Sequence, residues 1–190
     1  MIANLTFKPA TPETWDDLET LFRGCDTLSG CWCMWWRIKR TEFQHQGGEG
    51  NRQALRAIVE AGEIPGILAY VDERPVGWVS VAPRESFPVL DRSPTLKRVD
   101  DQPVWSIVCF YVDPPLRGEG MTEALLQAAI EHARAGGATI VEAYPAIPAN
   151  SANPDTVIFT GTHSTFVRAG FQEVARRSEI RPVMRYTIGE

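Results

Sequence analysis

The spacing of apolar residues changes several times along these 190 residues. In "TPETWDDLETLF", Trp15, Leu18, Leu21 and Phe22 recur at helical intervals, with Thr11 as a cap and Pro12 at the first position, so a helix is expected there. A second helix is read in "NRQALRAIVEAG", where Leu55, Ile58 and Val59 share a face and Gly62 follows the end. The period then changes: "GILAYVDERPVGWVSVA" reads as two strands around Asp72-Glu73-Arg74-Pro75. Residues 82–103 carry four prolines and no clean period, which predicts a long loop of the kind that is functional or mobile. "VWSIVCFYV" is apolar at nearly every position, as a strand covered on both faces should be. Residues 121–135 follow as a helix with Met121, Leu125, Ala128, Ala129 and His132 on one face. "NLTFKPA" at the start and "TIVEAY", "FQEVAR" and "RPVMRYTI" towards the end complete the strands. "PAIPANSANPD" reads as a loop and "HSTFVRAGF" as a short helix ending at Gly170. The order is strand, two helices, hairpin, strand, helix, strand, short helix and two strands, an α+β arrangement with a mixed sheet.

Composition narrows the class. Hydrophobic residues make up 44% and charged residues 23%, as in an ordinary soluble globular protein, and the length suits a single domain over residues 1–190. A net charge of -5 argues against a broad nucleic-acid surface and leaves room for a local basic pocket, of which Arg117 is a candidate member. "MIANLTFKPATPETW" lacks the basic start and apolar run of a secretory signal, so a cytoplasmic protein without membrane attachment is expected. In that setting Cys25, Cys31, Cys33 and Cys109 are expected as reduced thiols.

The candidate chemistry lies in "VDPPLRGEGMTEALL", residues 112–126, where a strand passes through prolines and glycines into a helix. A helix start leaves about four backbone N–H groups without intrahelical partners and carries partial positive charge. Gly118 and Gly120 permit close approach to that end, and Arg117 adds a cationic donor, so a phosphate or pyrophosphate is the expected ligand. A Walker A loop is excluded because no Gly-Lys-Ser/Thr follows; the dinucleotide fingerprint is excluded because position 123 is Glu123.

A third pattern fits. Val112-Asp113-Pro114-Pro115-Leu116-Arg117-Gly118-Glu119-Gly120-Met121-Thr122 resembles the acyl-coenzyme A binding motif of the GNAT superfamily of N-acyltransferases. Phe166-Val167-Arg168-Ala169-Gly170-Phe171 resembles that family's later aromatic-x-x-x-Gly-Phe segment. The resemblance implies a mostly antiparallel sheet with a splayed parallel pair, flanking helices, and acetyl-coenzyme A as donor without a metal. It further implies that Arg117, Gly118, Glu119, Gly120, Met121 and Thr122 hold the pyrophosphate, and that Phe110 and Val112 pair with the pantetheine arm as with an added strand. Phe166 belongs to this donor-binding set by position and stands where many members carry a tyrosine acid; Thr122 stands where Gly or Ala is usual. The expected reaction is direct attack by a primary amine of a small molecule or peptide, with N–H groups near Cys109 and Phe110 facing the oxyanion. Tyr144 and His163 are the candidate proton donors. A homodimer is compatible with the resemblance.

Another cluster stands out in "CDTLSGCWCMWWRIKR". Cys31-x-Cys33 lacks the spacing of a zinc site, and Trp32, Trp35 and Trp36 read as core packing, with Trp35 or Trp36 also lining an acceptor pocket. Besides the acyltransferase, two other readings stand at this point: a non-catalytic acyl-coenzyme A binding protein of the same fold, and a thiol- or metal-responsive protein built on Cys25, Cys31 and Cys33.

Overall fold

The computed structural model describes residues 2–147 and 158–189. Seven strands form one sheet in the order β1-β2-β3-β4-β5-β7-β6: β1 (Leu5–Pro9), β2 (Gly66–Val71), β3 (Arg74–Pro83), β4 (Trp105–Val112), β5 (Ile140–Ala143), β6 (Gln172–Ala175) and β7 (Val183–Thr187). All neighbours are antiparallel except β4 and β5. The mixed sheet with one parallel pair is the arrangement expected from the sequence.

On one face lie α1 (Trp15–Arg23), α2 (Asp26–Cys31), α3 (Arg40–Glu60) and the short α4 (Pro88–Arg92); on the other lie α5 (Met121–Ala135) and α6 (His163–Arg168). The first core gathers Leu18, Phe22, Trp32, Leu55, Tyr70, Trp78 and Phe87; the second gathers Val79, Ile107, Leu125, Leu126, Ala129, Phe166 and Phe171. Asp72 and Glu73, at φ of 47° and 66°, make the two-residue turn that matches the strand twist between β2 and β3.

Helix α3 begins well before the residues whose periodicity announces it. Gly47, Gly48 and Gly50 dilute the apolar signal, and Gly47 is non-helical at φ 62°. Asn51 supports this half of the helix from inside: it is fully buried, donates to the Gly30 carbonyl at 2.9 Å and accepts from Gln46 at 2.7 Å. The short α2, in the cysteine-rich stretch, is not among the helices that the periodicity predicts; it stops where Trp32 and Cys33 take positive φ.

In α5, Met121, Leu125 and Ala129 are buried as the periodicity predicts, while Ala128 and His132 flank the contact and Leu126, Ile130 and Ala133 complete it. The Pro/Asn-rich loop expected at 145–155 falls mostly outside the described residues.

Candidate active site

The parallel pair β4–β5 is short. It runs from Trp105 opposite Val141 to Ile107 opposite Ala143, and β4 then continues to Val112 without a strand partner on that edge among the described residues. At the same point β4 carries a bulge. Ser80 pairs with Cys109 and Val81 with Ile107, so Val108 is an extra residue. Val108 and Cys109 consequently both belong to the α1–α3 core, whereas Ile107 and Phe110 belong to the α5 core. A bulge turns the strand and re-aims its side chains, and here it coincides with the separation of β4 from β5. The strand run predicts neither feature, because alternation is hidden when both faces are apolar.

After β4 a single 3-10 turn, Pro114–Leu116, leads to Gly118 and Gly120 at φ of 83° and 84°, and α5 begins at Met121. Positive φ explains both glycines, since a side chain there is strained. An added Cβ would meet nothing within 4 Å at either position, so the turn presents an open backbone surface. Among the described residues the N–H groups of Gly118, Glu119, Gly120, Met121 and Thr122 make no close, well-aligned hydrogen bond to the protein, while the Leu116 and Arg117 N–H groups close the preceding turn. Arg117 is exposed; its Nε donates to the Val112 carbonyl at 3.1 Å and so braces the strand end against the glycine turn. That bond occupies one acceptor of Val112; the carbonyl of Phe110, the neighbouring residue on the same face, takes only a long contact from the Cys109 thiol at 3.9 Å. Phe110 and Phe166 meet edge to face at 6.1 Å, and Phe166 is wholly buried, packed also on Phe171 at 5.0 Å.

The two proton-donor candidates occupy different surroundings. Tyr144, just past β5, has no exposed surface. Its hydroxyl donates to Glu142 at 2.7 Å, receives a bond from Arg84 at 2.6 Å and shares another with Ser106 at 2.8 Å. Burial, reinforced by the Glu142 charge, pushes the Tyr144 phenol well above its ordinary range. Arg84 and Glu142, each 1% exposed, pair at 2.7 Å. The network continues through Arg84 to Asp91 and the Leu96 carbonyl, and through Arg185 to Asp100. It ties the 84–100 segment to β5 and β7. That segment lacks periodicity because buried ion pairs and two short helical turns order it, where an apolar stripe would have been legible.

His163 opens α6, and its side chain is partly exposed. Its backbone N–H donates to the Ala146 carbonyl at 3.2 Å, beside the bridge between Ala146 and Thr162, and its Nε2 lies 4.0 Å from a Glu173 carboxylate oxygen. Thr160 and Gly161 bring the chain back beside β4 and the Phe166 ring.

The four cysteines are free, and among the described residues no group of three His, Cys, Asp or Glu side chains could hold a metal ion. Cys33 lies beneath the Trp78 indole, whose N–H reaches its sulfur at 3.1 Å. Trp32 stacks on Trp15, while Trp35 lies against Phe43 and carries the Arg40 guanidinium at 3.9 Å over its ring.

Comparison with known proteins bears on this geometry. The family model described as Acetyltransferase (GNAT) family matches residues 32–153, more than half of the chain. The chain belongs to the GNAT acetyltransferase family. Solved structures share the fold of this acetyltransferase at low sequence identity. A GNAT-family acetyltransferase from Streptococcus agalactiae matches at 14% identity with a TM-score of 0.59, covering 100% of this chain and 99% of the other. One from Listeria monocytogenes matches at 10% identity with a TM-score of 0.60, covering 97% and 95%. The PaiA N-acetyltransferase of Thermoplasma acidophilum, solved with coenzyme A, matches at 13% identity with a TM-score of 0.53, covering 97% and 99%. No match is found among curated protein sequences.

Proposed function

We propose that this acetyltransferase moves the acetyl group of acetyl-coenzyme A to a primary amine of a small molecule or peptide. The observation that carries the reading is the set of unpartnered N–H groups from Gly118 to Thr122, set at the positive end of α5 beside the open edge of β4. These residues fit a pyrophosphate because the glycine surface is open and the donors have no competing acceptor. Arg117 adds positive charge from its guanidinium while remaining anchored on Val112. Phe110, beyond the end of the β5 pairing, offers its backbone edge to the extended pantetheine arm, and the Val112 edge is shared with Arg117. The family relative from Thermoplasma acidophilum, solved with coenzyme A, supports the choice of donor.

The donor supplies an activated thioester; the chain supplies orientation and the handling of protons. N–H groups near Cys109 and Phe110, beside the bulge at Val108, are assigned to the developing oxyanion. His163 is assigned the proton transfer, since its ring is partly exposed and the residue follows closely on the Thr160–Gly161 stretch that returns beside β4. Tyr144, the other candidate, is assigned to holding the 84–100 segment, since its hydroxyl is enclosed by three protein partners. Phe166 backs Phe110 and so shapes the donor edge from behind.

Calorimetry with acetyl-coenzyme A, coenzyme A and ATP tests the donor. Selective, saturable binding of the coenzyme A species, followed by thiol release with an amine panel, is the expected result. Binding no better than that of ATP would overturn the donor assignment.

A further inference from the structure

A second cavity, of about 450 Å³, lies at the other end of α5, between the turn after α3, the end of β3 and the start of β4. Its size is at the small-molecule end of ligand sites. Helix α5 has 15 residues, which at 1.5 Å per residue puts this cavity about 22 Å from the glycine turn. It is therefore separate from the donor cradle.

The cavity holds a polar group whose needs the chain leaves unmet. Arg37 is only 8% exposed, yet its guanidinium makes one hydrogen bond, from Nη2 to the Pro65 carbonyl at 3.3 Å. Its Nε has no partner among the described residues, and no carboxylate there lies within the 4.0 Å of an ion pair. Glu63 and Cys33 bear on its charge only through space. The Phe87 ring, 4.5 Å from the guanidinium carbon, is its other support. Burial pushes the guanidinium down to about 10, the direction expected for a cation short of counter-charge. Across the cavity, His132 stands edge to face on Trp105 at 5.5 Å, and its Nε2 is likewise buried without a partner. Two of the three residues with such orphaned nitrogens among the described residues thus line one cavity, although the two nitrogens themselves are enclosed. A buried cation without an anion is costly, so pairing with one returns a large part of that cost.

We propose that this cavity is a second ligand site, specific for a small organic monocarboxylate with a short apolar body. Arg37 takes the carboxylate through the outer nitrogens of its guanidinium, and Ile64, Ala82, Trp105, His132 and Ala135 line the space for the body. A single cation and the Glu63 carboxylate among the lining residues disfavour multiply charged anions such as phosphate or nucleotides.

Butyrate is the probe, and the ring proton signals of the three histidines are the readout, with His132 assigned by its loss in His132→Gln. The expected result is a saturable shift of the His132 signal with butyrate, none with butyramide or phosphate, and no displacement by coenzyme A. Arg37→Met weakens binding by at least about tenfold, as expected for loss of a charge-assisted pair. Because Arg37→Met can also disturb folding, Ala135→Leu is the second variant: Ala135 is exposed on α5 and a larger side chain there fills the cavity. It too loses butyrate binding while keeping its circular dichroism spectrum. An unsaturable shift, an equal response to butyramide, displacement by coenzyme A, or undiminished binding in folded Ala135→Leu would each overturn the site.

Discussion

Gly120 shows how much one residue decides at the donor site. Its φ of 84° admits no ordinary side chain without strain, although the space around it is open. Gly120→Val should cost about 1–2 kcal/mol of stability from the left-handed backbone alone. Acetyl-coenzyme A binding should fall further than that figure explains, because the strained turn also moves the N–H groups beside it; denaturant unfolding and calorimetry on one preparation separate the two. Tyr144 makes the opposite case, since its chemistry is reactive in principle and enclosed in fact. Tyr144→Phe should cost about 1–3 kcal/mol by leaving buried partners of the hydroxyl short of hydrogen bonds. Its kcat should nevertheless stay near that of the parent, whereas His163→Gln should lower kcat. A collapse of kcat in Tyr144→Phe at unchanged stability would reverse the two assignments.

At the scale of elements, the division between β4 and β5 is what makes a site out of a sheet. Three residue pairs join the strands, and the bulge at Val108 falls where the pairing ends. The buried pair of Arg84 and Glu142 stands on the same face as Val108 and holds the loop before β4 to β5. Removing one partner leaves the other charge buried, so Glu142→Ala should cost about 3–5 kcal/mol, read as a lowered urea midpoint. Replacing both with apolar residues should cost much less than the sum of the single changes. The strands and α5 were legible because periodicity and the Gly118–Gly120 punctuation mark them. The bulge, the early half of α3 and the order in residues 84–100 were not, because each rests on long-range partners: Ser80 for Cys109, Gly30 for Asn51, Glu142 for Arg84.

At the scale of the whole molecule, two exposed carboxylates contribute a modest acid sensitivity. Arg185 holds Asp100 down to about 2 from 3.8, and Arg52 holds Glu49 down to about 2 from 4.5. Both folded values lie below the unfolded ones, so the stabilisation is complete above the unfolded values and is lost as pH falls from about 4.5 to about 2. Urea midpoints followed across that window should fall, and Asp100→Asn should flatten part of the fall. No helix among the described residues is long and apolar enough to cross a membrane.

What the sequence determined by itself was local: which segments are strands or helices, where glycine must relieve positive φ, and which helix start offers free N–H groups. Those properties depend on neighbours a few residues apart, and the acyl-donor resemblance was readable for the same reason, its residues being contiguous from Val112 to Thr122. Tertiary structure alone decided the rest. It enclosed Tyr144 and left His163 open, aligned the bulge with the end of strand pairing, and brought Arg37 and His132, 95 positions apart in the chain, to one cavity. Burial and pairing between distant residues are properties of packing, and no local pattern encodes which buried charge finds a partner and which is left without one.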